Sequence, residues 1–214
     1  MKKIALLLIA VFFITSFTDL QAQSKLKQSK FSISIQGGAF LPVGDESDEY
    51  NIGGNAGLGL NYKFNSTIEI YAEGNHNFTG YKPLTYYGAP PTNYNGKPSI
   101  FDMGIGTRFI FGQSKFKTFV EGGVGMYMFY YPASTYTFSY IDPKTGNTIY
   151  STFTVESYND EFLGTHVGLG EMFNVSINID LYLRGDFRSA LSVSDKGITS
   201  FKFFGIYAGA KYGF

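Results

Sequence analysis

Glu69 and Glu73 stand four residues apart in TIEIYAEGNHNF, Arg108 lies in IFDMGIGTRFIF, and Glu121 lies in KTFVEGGVGMYMFYY. In a β-strand an even spacing puts side chains on one face, so these four can share a surface across three consecutive strands. Arg108 then has a carboxylate on either neighbour, and Arg184 and Lys211 extend the set onto the last two strand-like segments. The chemistry this pattern offers is charge pairing, either as the satisfied polar filling of a narrow interior or as ion pairs that block or gate a pore. Catalysis has little to stand on. The chain has two histidines and no cysteine, which excludes disulfides and thiolate metal sites. No paired histidine or acidic loop has metal-ligand spacing. Asp45, Glu46, Asp48 and Glu49 read as a solvated loop tip, with weak calcium binding as the alternative. No catalytic residue, cofactor or metal site is expected. The formal net charge of zero gives no reason to expect nucleic acid as a partner.

The elements that position these residues alternate with period two. FSISIQGGA (31–39) is followed by segments at 54–64, 67–78, 100–111, 117–131, 161–173, 177–188 and 201–214, eight in all. Each exceeds the five or six residues usual for a soluble strand and has roughly the 9 to 11, or a few more, of a tilted transmembrane strand. Short connections at Asn65-Ser66, 112–115 and Asn174–Ser176 alternate with long ones at 41–52, 79–99, 132–160 and 189–200. Tight turns on one side and long loops on the other are the layout of an up-and-down outer-membrane barrel.

If the apolar face meets lipid, the opposite face collects Lys63, Glu69, Glu73, Asp102, Arg108, Glu121, His166, Asp180, Arg184, Asp186, Arg188 and Lys211, with Tyr71, Tyr127, Tyr182 and Tyr207. A soluble barrel would reverse the faces, and alternation alone does not separate the two. Glycine does. Gly57, Gly59, Gly104, Gly106, Gly123, Gly125, Gly168, Gly170, Gly205 and Gly209 all fall on the polar face, where a crowded lumen needs neighbours without side chains. A lysine on the lipid side at mid-bilayer costs about 2–4 kcal/mol, so Lys211 is expected inside. Strict alternation leaves Glu171 facing lipid near the short-turn end, which either a bulge or an interfacial depth accommodates.

The first 22 residues, with Lys2 and Lys3 ahead of an apolar run and Leu20-Gln21-Ala22 at its end, read as a cleaved signal peptide. Residues 23–30 follow as a periplasmic segment and 31–214 as the barrel. The loop sequence SYIDPKTGNTIYS reads as a hairpin, expected to rise outside the membrane rather than to add two spanning strands. Its aromatics serve either as cross-strand pairs or as a recognition surface.

The signal peptide, the eight alternating strands, the turn and loop asymmetry, and the terminal alternation Ile206, Ala208, Ala210, Tyr212, Phe214 together resemble the small OmpA-like outer-membrane β-barrel family of Gram-negative bacteria. The resemblance covers nearly all of the mature chain and implies an all-β, eight-stranded antiparallel up-and-down transmembrane β-barrel in the cell outer membrane. It implies a monomer among outer-membrane lipids, with Tyr212 and Phe214 as the signal read by the barrel-assembly machinery. The peptidoglycan-binding domain of longer members has no counterpart, so tethering to the cell wall is not expected. Lipid A deacylases with this fold carry a His-x-Ser step, whereas here His76 precedes Asn77-Phe78 and His166 precedes Val167-Gly168. The expected function is therefore non-enzymatic, structural or surface-interacting. A narrow gated pore, an adhesin or ligand-binding barrel acting through 132–160, and a lipid-modifying enzyme are the alternatives, in that order.

Overall fold

Period-two alternation becomes eight long strands joined in a ring in the computed structural model, which describes residues 29–44, 46–80, 97–112, 115–194 and 197–214. The barrel strands are β1 (Phe31–Pro42), β2 (Gly53–Lys63), β3 (Ile68–Phe78), β4 (Ser99–Phe111), β5 (Phe116–Tyr131), β8 (Tyr158–Ser176), β9 (Ile179–Ser194) and β10 (Gly197–Gly213). Each is antiparallel to its neighbours, and β1 closes the ring against β10. Between β5 and β8 the chain leaves the ring and forms a separate two-stranded ribbon, β6 (Ser134–Ile141) and β7 (Thr148–Val155). A single helical turn, α1 (Glu46–Glu49), follows β1. The hairpin at 132–160 thus adds no strand to the barrel wall.

The stagger of the ring can be read from its register. One row of partners runs from Tyr212 through Ile33, Leu60, Ala72, Ile105, Val124, Thr165 and Ser189 and returns to β10 at Lys202, ten residues from its start. Such a stagger goes with strands tilted about 35–45° to the axis. Eight strands at that tilt leave an interior that side chains can fill.

The outward face is apolar. Ile33, Ile35, Leu58, Leu60, Ile70, Ile105, Val124, Val167, Leu183 and Ile206 are all exposed, an arrangement that water disfavours and hydrocarbon does not. Toward the short turns this wall ends in a belt of exposed Phe31, Phe64, Phe109, Phe111, Phe116, Phe173, Tyr212 and Phe214. Phe116 meets Phe173 with ring centres 4.6 Å apart, and Phe31 meets Tyr62 at 4.9 Å. Aromatic belts mark the membrane–water boundary. Glu171 lies at this end of the wall, half-buried, and accepts a 2.8 Å hydrogen bond from the Thr118 hydroxyl on the paired strand. No register shift separates it from Leu163, so interfacial depth and a cross-strand partner accommodate it, not a bulge.

Several boundaries differ from the sequence expectation; Leu41 and Pro42, expected as the start of a loop, still pair with Phe204 and Phe203 as the end of β1. The turn placed at Asn174–Ser176 lies directly after it, at 177–178, because β8 runs on to Ser176 through an irregular pairing at Asn174 and Ser176. Residues 189–200, expected as a loop, are ladder for most of their length, with Ser194 paired to Gly197. Serine and threonine made that stretch look like loop, but its backbone pairs as the strands around it do. Tyr158–Asp160, also expected as loop, already pair with β5. The signal peptide, most of the 23–30 segment, and residues 81–96 of the expected 79–99 loop lie outside the described residues.

Candidate functional site

Inside the ring, β3, β4, β5, β9 and β10 each turn a charged side chain toward the axis, and burial forces these charges to meet. Arg108 donates from Nε and Nη2 to Glu121 at 2.9 and 2.7 Å, and from Nη1 to Glu69 at 2.7 Å. Lys211 takes the other Glu69 oxygen at 2.8 Å. Arg184 bridges Glu121 at 2.9 Å and Glu73 at 2.8 Å. Arg188 takes the second Glu73 oxygen at 2.8 Å, Asp186 at 2.9 Å, and Asp102. The result is one unbroken network in which four cations face five nearly inaccessible carboxylates and a sixth, the less buried Asp180, 3.7 Å from Lys211.

Rings support the cations from the side. The Arg184 guanidinium lies 4.5 Å from the centre of the Tyr207 ring, and that of Arg108 lies 4.6 Å from Phe119 and 5.0 Å from Tyr71. Cation–π attraction strengthens when water is excluded. A second, uncharged chain of amides runs beside the ion pairs. Tyr182 donates to Gln36, Gln36 to Asn75, Asn75 and Asn77 to Asp102, and Asn55 to Asn77.

Glycine makes room for these groups. A Cβ at Gly106 would stand 2.5 Å from the Tyr71 hydroxyl, and one at Gly170 would stand 2.4 Å from the Phe119 ring. Large lumen side chains therefore lie over bare backbone on the neighbouring strand, in a space already filled.

Of the six residues singled out as the lumen cluster, Glu69, Glu73, Arg108, Glu121, Arg184 and Lys211 all stand in this network. Glu73 reaches Arg184 and Arg188, and the partners of Arg108 are Glu69 and Glu121. Asp102, Asp186 and Arg188, already placed on the polar face by parity with Arg108 on β4 and Arg184 on β9, belong to it equally. The amide chain was missed, although Asn75 and Asn77 share the parity of Glu69 and Glu73 on the same strand. Tyr212 and Phe214 stand at the seam. The Phe214 N–H donates to the Phe31 carbonyl at 3.1 Å, and the Ser29 hydroxyl donates to the Phe214 carbonyl.

The two histidines lie on opposite faces of the wall. His166 is buried with a ring nitrogen 2.5 Å from the Tyr71 hydroxyl, whereas His76 faces outward beside Phe78. Among the described residues no group of acidic and histidine side chains could hold a metal ion. A concavity lined mainly by Ile33, Ile35, Leu58, Ile105, Val124 and Leu163, whose side chains lie on the lipid-facing wall, also touches Ser34, Gly59, Glu73 and Gly104 of the polar face. Near the turn-side mouth, Lys63, Glu69, Asp180 and Lys211 border a space of about 30 Å³, room for a water or two.

Apolar layers bound the network. Toward the loops, Phe40, Tyr50, Ile100, Tyr127, Phe129, Phe162, Ala190, Phe201 and Phe203 form one buried cluster. Toward the turns, Ile110, Phe119, Met172 and Tyr182 form a smaller one.

No family model matches the chain, and no curated protein matches it. Solved structures share its fold. Neisserial surface protein A, from Neisseria, aligns with a TM-score of 0.56 at 14% identity, covering 88% of this chain and 100% of its own. The outer membrane protein OprG from Pseudomonas aeruginosa aligns with a TM-score of 0.50 at 11% identity, covering 87% of this chain and 97% of its own. At such identities the likeness is one of fold, and the fold is that of small eight-stranded outer-membrane β-barrels.

Proposed function

We propose that the chain is a non-enzymatic barrel of the outer membrane whose lumen is a closed structural core and whose contact with other molecules runs through the β6–β7 ribbon. The observation that carries this reading is the separation of the ribbon from the ring. It is a sheet of its own, set above a lumen whose charges are paired and whose loop end is capped by an apolar cluster. Tyr140, Tyr150 and Phe153 are exposed on it, Tyr150 at 73%. Aromatic side chains on an exposed edge are the usual anchors of a recognition surface. The ribbon lies at the end opposite the short turns, which in this architecture is the external side. His76 on the lipid face and His166 inside the lumen do not converge on a reacting atom, which supports a non-enzymatic role.

The barrel works as a monomer among outer-membrane lipids, and Tyr212 and Phe214 form the signal by which the assembly machinery receives it. The exposed Phe214 ring at the end of the closing strand supports this. Deleting Phe214 is expected to lower the amount of inserted barrel while export across the inner membrane stays intact. Normal insertion of the deletion variant would sink the signal role.

The ribbon reading is tested by replacing 134–155 with a short glycine-containing turn. The barrel should keep its heat-modifiable gel migration, while cells displaying the variant lose adhesion to immobilised glycans and matrix proteins that the native chain supports. Equal adhesion of the two strains would remove the ribbon from the function.

A further inference from the structure

We infer that the barrel is sealed by the aromatic layer at its loop end, with Tyr50, among the described residues, as the piece of that seal carried outside the barrel strands, and that the ion-pair network below holds the wall without closing it. The inference deepens the closed-lumen reading and rests on it.

The two ends of the lumen are filled differently. At the loop end the layer draws side chains from β1, β4, β5, β8, β9 and β10, six of the eight strands. Its members interlock. Phe129 meets Phe201 and Phe162 with ring centres 4.6 Å apart in each case, and Phe40 meets Phe203 at 4.7 Å. The two strands that contribute nothing to it, β2 and β3, present Asn55 and Asn77, which are hydrogen-bonded to each other. Tyr50 reaches in from the segment after α1 and meets Phe201 edge-on at 5.5 Å.

At the turn end the apolar cluster comes from β4, β5, β8 and β9 only. Beside it Lys63, Glu69, Asp180 and Lys211 line a polar mouth that already holds a small space. Water or an ion entering from the turns therefore meets polar partners through the mouth and along the ion pairs, until it reaches the rings. An apolar constriction offers nothing to replace hydration, and such constrictions close pores by dewetting. Charged groups do the opposite, because each one removed from its partner recruits water.

The sequence pattern agrees with this division. Phe201 and Phe203 face inward while Lys202 between them faces outward, an inversion of the rule that holds from Phe204 to Tyr212. Near the boundary of the membrane a lysine on the outer face costs little, so the inner face is free to be greasy where it has to exclude water.

Planar-bilayer current distinguishes the layers. Three variants are compared with the native chain, each first shown folded by heat-modifiable migration: Phe129→Ala with Phe201→Ala, Tyr50→Ala with Phe201→Ala, and Arg108→Ala. The native chain and Arg108→Ala should stay at the bilayer leak, and at least one aromatic double variant should pass on the order of tenfold more current. Silence of both folded aromatic variants, or current through Arg108→Ala equal to theirs, would overturn the aromatic seal. Steady current in the native chain would instead overturn the closed lumen on which it rests.

Discussion

The barrel wall and the β6–β7 ribbon are built from the same antiparallel ladder, yet they place their polar groups by opposite rules. In the wall, alternation sorts charge inward and hydrocarbon outward, so each strand has one face that meets lipid and one that meets paired ions. In the ribbon, Thr135 faces Thr154 and Thr137 faces Thr152 through hydroxyl contacts of 3.3 and 3.1 Å, and both arms are largely exposed. No charge occurs within either arm. The comparison teaches that the period fixes which residues share a face, while the surroundings decide what that face is for. Wall stability should then be sensitive to single charges, and ribbon stability to its turn and its cross-strand pairs.

The severest test of the wall is Arg184→Met. It leaves Glu73 and Glu121 each short of a buried partner, a situation that typically costs about 3–5 kcal/mol. Urea unfolding in lipid vesicles should show a loss in that range, and Glu121→Gln combined with it should recover part of the loss. A change under about 1 kcal/mol would mean that water compensates these charges, and the contrast with the exposed ribbon would fail.

Next in size is the lipid face. Ile105→Arg, on the row of residues that runs through Ala72 and Val124, should cost about 2–4 kcal/mol near the midplane. Tyr150→Arg, on the exposed ribbon, should leave the unfolding midpoint in place. If both substitutions were equally tolerated, the outward wall would not be in hydrocarbon.

The sequence made the ring legible because the wall is long and its alternation strict. Glu69, Arg108, Glu121 and Lys211 could be assigned to one face by parity alone, and that face is where they lie. The aromatic layer was not legible in the same way. Phe40, Phe129, Phe162, Phe201 and Phe203 have the parity of the lumen, yet a phenylalanine in a membrane strand reads as a lipid contact, and only burial reveals that these five point inward. Loop boundaries failed for another reason. Ladder pairing continues through residues 189–194 and 197–200, where serine and threonine interrupt the apolar alternation while the backbone is still paired.

The smallest effect lies in the ribbon's own turn, and it gives the comparison a pH-dependent handle. The Lys144 backbone N–H donates to one Asp142 carboxylate oxygen at 2.9 Å and the Thr145 hydroxyl to the other at 2.8 Å. These bonds, the Lys144 N–H foremost, hold the Asp142 carboxyl below its ordinary value of 3.8. Because the folded value is depressed, the stabilisation is present above the unfolded value and disappears as pH falls through the folded one. Gly146, with φ of 70°, closes the same turn by donating to the Asp142 carbonyl at 2.8 Å. Exchange protection of the Lys144 and Gly146 amides, corrected for intrinsic rates, should therefore be flat from neutral pH down to about 5 and fall below about 4. The amides of β6 and β7 farther from the turn should lose less, and barrel amides should not respond through this group at all. Asp142→Asn should keep part of the turn, since an amide oxygen still accepts, and should abolish the acid-dependent step. A step that survived in Asp142→Asn would assign it to another carboxyl, and the ribbon's stability would no longer be separable from that of the charged wall.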